Sequence, residues 1–242
     1  MKIGLIGAME EEVEILKGEM TEVMKVEVAH SRFYCGSLEG FETVLLQSGI
    51  GKVNAALGTA LLIDRFHPDV VINTGSAGGT DVSLNIGDVV ISSGVIYHDA
   101  DATAFGYAPG QVPGMPAVYV PDRRLSELAE SAASSALEKH LIVKGKIATG
   151  DSFMADPKRI MKLKTQFPEV KAVEMEAAAI AQVCFQFNVP FLIVRALSDI
   201  AGKKSDISFE QFLETAAKHS AQFVLALLRE LKKHSGAENH AK

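Results

Sequence analysis

The sequence predicts an α/β protein: a three-layer sandwich with a central mixed, twisted sheet and helices on both faces. Three observations predict it. Short aliphatic runs alternate with helical stretches from end to end, the pattern of strands connected through helices. Most of those runs are too apolar to turn one face to water. Over 242 residues, 48% apolar and 22% charged side chains supply one sizeable core, and no repeat or composition break divides it. One domain is therefore expected over 1–233, with 234–242 (HSGAENHAK) as a frayed tail.

Residues 2–6 (KIGLI) open the chain as a strand, and 10–20 follow as a helix with the apolar stripe Met9, Val13, Leu16 and Met20. Segments 26–30 and 32–38 alternate, and with 43–48 (TVLLQS) they suggest an antiparallel hairpin near 25–48. A helix at 52–66 leads to strand 69–74 (DVVINT), and 87–92 (GDVVIS) reads as another strand. Residues 98–121 break the rhythm with a Gly- and Pro-punctuated connection, long enough to serve a site or a subunit contact. Helices at 122–139, 157–166, 176–187 and 209–233 then alternate with strands at 141–149 and 191–197. The last helix begins SFEQ, where Ser208 can cap and Gln211 can reach back.

Thirty acidic against 24 basic residues give a net charge of -6, which argues against a broad grip on nucleic acid or anionic lipid. No apolar run approaches the roughly 18 residues of a membrane span. The opening MKIGLIGAMEEEVEIL meets carboxylates too early for a signal peptide, and two distant cysteines, Cys35 and Cys184, imply neither a disulfide framework nor a zinc cluster. A soluble cytoplasmic protein is expected.

Several motifs fail on inspection. KIGLIGAMEEE lacks the third glycine of a dinucleotide fold, and its glutamates would repel a pyrophosphate. SGIGKVNAA (48–56) lacks the first P-loop glycine, and Val53 stands where a magnesium-binding hydroxyl is needed. GDSF (150–153) looks like an esterase nucleophile block but lies too late in the chain and has no D-x-x-H partner. HDAD (98–101) offers three metal ligands without a second cluster, so local turn hydrogen bonding is the expected role of His98, Asp99 and Asp101.

Four features survive. Among the glutamates of the first helix, most of which suit the positive end of the helix dipole, Glu12 lies nearest the apolar stripe, narrowly ahead of Glu10. TGSAGG (74–79) follows a strand, so its small residues can present backbone N–H groups and the Ser76 hydroxyl to a ligand. Glu174 and Glu176 sit in an apolar setting before a helix, where one is expected at the surface and the other in a pocket. Arg195 interrupts an apolar strand and shares its parity with Asp199; either the two form a buried ion pair, or Asp199 at the strand's carboxyl end is a general acid while Arg195 holds a polar partner. With Phe153 and Phe209 available for stacking, these groups suit a nucleoside pocket.

Taken together, IGAMEEEV (6–13), SGIGKVNAALG (48–58), NTGSAGG (73–79), YHDADATAFGY (97–107), VEMEAAAIA (173–181) and VRALSD (194–199) resemble 5′-methylthioadenosine/S-adenosylhomocysteine nucleosidases over nearly the whole chain. The resemblance implies the phosphorylase/hydrolase-like fold and a homodimer. It implies hydrolysis of the adenine–ribose bond of methylthioadenosine, S-adenosylhomocysteine and 5′-deoxyadenosine, in methionine salvage and methyl-cycle detoxification, with no cofactor and no metal. By the same resemblance Asp199 protonates adenine N7, and Glu12 activates a water placed by Ser76 and Arg195. Glu176 binds the ribose hydroxyls beside Met175, with Glu174 a non-catalytic neighbour. Phe153 stacks on adenine, the main chain of Met154 reads its edge, and Ala8, Gly78 and Ser198 border the substrate. Met9, Ile50 and Phe209 line the sugar and thioether side, and Ala102, Phe105 and Pro113 come from the partner's loop 98–121. Ala102 and Met154 stand where the family usually has Val and Ile, which bears on substrate preference. Burial is expected to raise the Asp199 pKa. The rivals are a phosphate-dependent phosphorylase of the same fold, a non-catalytic nucleoside-binding protein, and a futalosine-type side activity.

Overall fold

The computed structural model describes residues 1–136, 140–201 and 205–239. Its strands are β1 (Lys2–Gly7), β2 (Thr21–Val28), β3 (Ser31–Leu38), β4 (Phe41–Gln47), β5 (Val70–Asn73), β6 (Ser76–Gly79), β7 (Val89–Tyr97), β8 (Ile142–Thr149), β9 (Val170–Glu174) and β10 (Phe191–Ile200). Helices are α1 (Glu10–Glu19), α2 (Lys52–Phe66), α3 (Arg123–Ala136), α4 (Pro157–Gln166), α5 (Ala177–Phe187) and α6 (Ser205–Asn239).

The strands form one mixed sheet in the order β2-β3-β4-β1-β5-β10-β6-β9-β8-β7, and β7 returns to pair with β10. Strands β10, β6, β9, β8 and β7 thus close into a ring, while β2 to β5 fan out from it. Pairing is parallel for β1 with β4 and β5, and for β10 with β5 and β6. It is antiparallel in the expected β2–β3–β4 hairpins and where β6 meets β9 and β10 meets β7.

Two-residue alternation sorts the central strands between two cores. Ile3 and Leu5 of β1, Val70 and Ile72 of β5, and Leu192, Val194 and Ala196 of β10 join the α1, α3 and α6 side. Ile6, Val71, Ile193 and Leu197 join the α2 and α5 side. A smaller cluster under α4 gathers Ile96, Ala148, Met154, Ile160 and Leu163. At about 1.5–3 kcal/mol per fully buried large aliphatic side chain, this two-sided burial is what makes an apolar run a central strand.

Three elements, β6, β9 and α6, differ most from the sequence reading. Strands β6 and β9 went unread: SAGG has no β-branched residue and VKAVE is only five residues long. Both are held by the ring, with Gly78 paired to Val173 and to Asp199. Helix α6 begins at Ser205, so Ser208 lies inside it rather than capping it; Ser205 and Asp206 are themselves residue types favoured at helix starts. The same helix continues to Asn239 through most of the expected tail, whose last residues, 240–242, lie outside the described ones. Among the described residues no helix is long and apolar enough to cross a membrane, and Cys35 and Cys184 are free thiols.

Candidate active site

The chemistry-bearing residues gather where β1, β8, β9 and β10 end and where β5 runs into β6. Glu12 is the third residue of α1, and it folds back onto the helix's own entry. Its Oε2 accepts from the Ala8 N–H at 2.8 Å and the Met9 N–H at 3.2 Å. Its Oε1 accepts from the Ser76 N–H at 2.8 Å and the Ser76 hydroxyl at 2.9 Å. Residue 75 must be glycine, because a Cβ there would lie 2.7 Å from Oε1. Glu10 meanwhile stays half-exposed and pairs with Lys17 at 2.7 Å, so Glu12 is the inward glutamate.

Arg195 is fully enclosed on β10, but it does not pair with Asp199. One Nη donates to Glu174 Oε2 and to Asn73 Oδ1, each at 2.6 Å. The parity expected to link Arg195 and Asp199 is interrupted by a register shift between Leu197 and Asp199. Burial works against the Arg195 charge, yet Glu174, Glu176 and Glu12 outweigh it and hold the pKa above the ordinary arginine value.

Glu174 corrects a second expectation. Neither it nor Glu176 is at the surface; both are buried. Glu174 ends β9 and receives the Glu176 and Ala177 N–H groups at 3.0 and 2.8 Å, capping α5, while the Thr149 hydroxyl donates to its other oxygen. Thr149 in turn accepts from the Ala178 N–H at 2.8 Å. A carboxylate satisfying two helix N–H groups and a guanidinium has no reason to be outside.

Glu176 accepts from the Gly51 N–H at 2.8 Å. Gly51 adopts φ +95°, a conformation that favours glycine, which explains the SGIGK segment better than phosphate binding does. Burial first, then the Glu174 charge, push the Glu176 carboxyl well above its ordinary range, against the pull of Arg195.

Asp199 stands apart from these charges. Its Oδ1 accepts from the Ser198 hydroxyl at 3.0 Å, and burial raises its pKa to about 6 despite that bond. Gly78 makes room for it: a Cβ there would lie 3.0 Å from Oδ2.

The apolar candidates line the approaches. Phe153 and Phe209 meet edge to face at 5.6 Å, with Phe153 44% and Ile50 49% exposed. Met154 is buried and Met175 half-buried, and Ser198 is wholly enclosed. Phe105, in a 3-10 turn at Thr103–Phe105, is 84% exposed; Pro113 is exposed and Ala102 half-buried. Among the described residues nothing covers Phe105. Asp99 of HDAD accepts from Lys52 Nζ at 2.7 Å and the Asp151 N–H at 3.0 Å, and Asp101 holds Thr103. Only the Asp101–Thr103 bonds are the expected local turn; Asp99 reaches residues distant in sequence and ties the GDSF loop to α2.

Asn73, Thr149 and Gly51 were missed in the sequence as site residues. Asn73 carried the same signal as Arg195, a polar residue at the end of an apolar strand. The other two carry none, because a threonine in a strand and a glycine in a turn are ordinary.

This geometry belongs to an α/β protein of nucleoside-cleaving type, and comparison agrees. The family model described as Phosphorylase superfamily matches residues 2–229. A 5′-methylthioadenosine/S-adenosylhomocysteine nucleosidase of Anoxybacillus flavithermus is 60% identical, over 96% of this chain and 100% of its own. The enzyme of that name from Colwellia psychrerythraea, solved in complex with adenine, superposes with TM-score 0.94 at 52% identity, covering 96% of each chain. That from Neisseria meningitidis, solved with methylthio-immucillin-A, gives TM-score 0.92 at 49% identity over 94% of this chain and 98% of its own. The chain belongs to the 5′-methylthioadenosine/S-adenosylhomocysteine nucleosidase family.

Proposed function

We propose that this enzyme hydrolyses the N-glycosidic bond of 5′-methylthioadenosine and S-adenosylhomocysteine, and of 5′-deoxyadenosine, releasing adenine and the corresponding ribose, and so serves methionine salvage and methyl-cycle detoxification. The observation that carries the reading is the contrast between two buried carboxyls. Glu12 is held by four donors, whereas Asp199 has one hydroxyl partner and a pKa raised to about 6. Paired carboxyls in such different surroundings suit a base and an acid.

Breaking the bond between C1′ and adenine N9 leaves the electron pair on the base and positive charge on the sugar ring. Asp199 delivers its proton to adenine N7, so the base departs neutral. Water adds to C1′ and its proton passes to Glu12, with Ser76 and Arg195 helping to place the water. Each transfer typically contributes 10²–10⁴-fold. Glu176 holds the ribose hydroxyls beside Met175, and Phe153 stacks on adenine whose edge meets the Met154 main chain. Ala8, Met9, Ile50, Gly78, Ser198 and Phe209 complete the walls. A second copy supplies Ala102, Phe105 and Pro113; the exposure of Phe105 in a single chain supports this.

Water is favoured over phosphate because Glu12 and Glu174 lie around Arg195 and would repel an anion. The test is adenine release from both nucleosides by the wild type and Glu12→Gln, with and without phosphate. Turnover without phosphate, lost in Glu12→Gln by at least ~10²-fold, is expected. Strict phosphate dependence, or binding without adenine release, overturns it.

A further inference from the structure

We infer that Ser220, on α6, is a positioning residue for the reaction: its hydroxyl anchors the Thr74–Gly75–Ser76 turn that aims Glu12. The inference rests on the reading of Glu12 as the base.

Ser220 is buried in the middle of α6, between small residues, Ala216, Ala217 and Ala221, that let the helix lie close to the sheet. A serine in a helix can satisfy its hydroxyl on the carbonyl four residues back. This one reaches across to the turn instead. Its Oγ bonds the Thr74 hydroxyl, accepts from the Gly75 N–H at 3.0 Å, and lies 3.4 Å from the Gly75 carbonyl oxygen. The rest of the turn is pinned from the sheet: Thr74 N–H donates to Ile6 at 2.9 Å and Ala196 N–H to the Gly75 carbonyl at 3.0 Å.

The next residue, Ser76, supplies two of the four donors that hold Glu12, and the Gly75 backbone approaches the same carboxylate too closely for any side chain. Removing the Ser220 hydroxyl leaves a buried N–H and the Thr74 hydroxyl without that partner, and those groups relax by shifting the turn. Glu12 follows the turn. Reaction rates fall steeply with displacements of about 1 Å, whereas binding contacts made elsewhere do not. The groups proposed to hold adenine and ribose, Phe153, Met154 and Glu176, sit on other segments and stay in place.

The experiment measures kcat and KM for methylthioadenosine with Ser220→Ala, Thr74→Val and the double variant, beside Glu12→Gln. Rates are expressed per folded site, counted from adenine-binding stoichiometry by calorimetry. For Ser220→Ala the expected result is a fall in kcat of about 10–100-fold, with KM and adenine affinity within about threefold. Thr74→Val should show the same split, and the double variant should lose no more than the worse single one, since both break one link. The proposal is overturned if Ser220→Ala keeps kcat per site within twofold, if KM rises in step with the loss, or if the losses multiply. Should Glu12→Gln itself turn over normally, the reading of the base fails instead; a dead Glu12→Gln beside a fully active Ser220→Ala condemns only the role of Ser220.

Discussion

Two buried carboxyls, the proposed acid Asp199 and its non-catalytic neighbour in the site Glu174, are built with opposite consequences for stability. Asp199 has an ordinary pKa of 3.8, and burial raises it to about 6 in the folded chain. A raised folded-state value means the neutral form stabilises the fold fully below about pH 4, and that contribution is lost as pH climbs through about 6. Asp199→Asn should therefore melt above the wild type at pH 8, at roughly 2–4 °C per kcal/mol, with the gap closing near pH 4; thermal melts across pH check it. The same variant should nearly abolish adenine release. In the wild type, kcat/KM should decline as pH rises through about 6 on a limb that Asp199→Asn removes. Glu174 is the opposite case. It is paired with Arg195 at 2.6 Å in the interior, so Glu174→Ala leaves a buried guanidinium charge and should cost about 3–5 kcal/mol, read by chemical denaturation. The sequence made Arg195 and Asp199 legible because charged groups in an apolar run demand a reason, and Glu12 because it lies nearest the apolar stripe of its helix. It did not reveal that Arg195 pairs with Glu174 rather than Asp199, since a one-residue bulge resets which partner a strand residue meets.

At the level of elements, the site depends on how segments end. Strands β1, β5 and β10 were legible from continuous apolar runs, and α1, α2 and α5 from their length and starting residues. Strands β6 and β9 were not, because their pairing is imposed by neighbours distant in sequence rather than by local propensity. The entry of α2 is the most exposed to a single substitution. Gly51 combines φ +95° with an N–H that holds Glu176, and a Cβ there would sit 3.2 Å from Asp151 Oδ1. Gly51→Ala should strain the turn by about 1–3 kcal/mol and raise KM more than it lowers kcat, because Glu176 loses its anchor. Steady-state kinetics with methylthioadenosine decide it.

Across the whole molecule, one face asks for a partner. On α2, Val53 is 77% and Leu57 43% exposed, and the loop carrying Phe105 is open as well. If a second copy covers this face, Leu57→Arg should shift sedimentation toward the monomer and raise KM, and Phe105→Ala should raise KM while leaving the dimer intact; stable dimers bury about 800 Å² per partner. A homodimer is expected only through resemblance, since exposed apolar residues by themselves do not say what covers them. The order of the sheet has its own consequence. Among the described strands β10 is the last to emerge from the ribosome, yet it lies between β5 and β6 and also receives β7. Until it arrives, the nascent chain holds two half-sheets with open edges, the kind of surface that recruits neighbouring chains. Arg195 and Asp199 ride on that same strand, so the segment that closes the fold also carries the proposed acid. Translation that stops short of residue 191 yields an aggregation hazard rather than a slower enzyme.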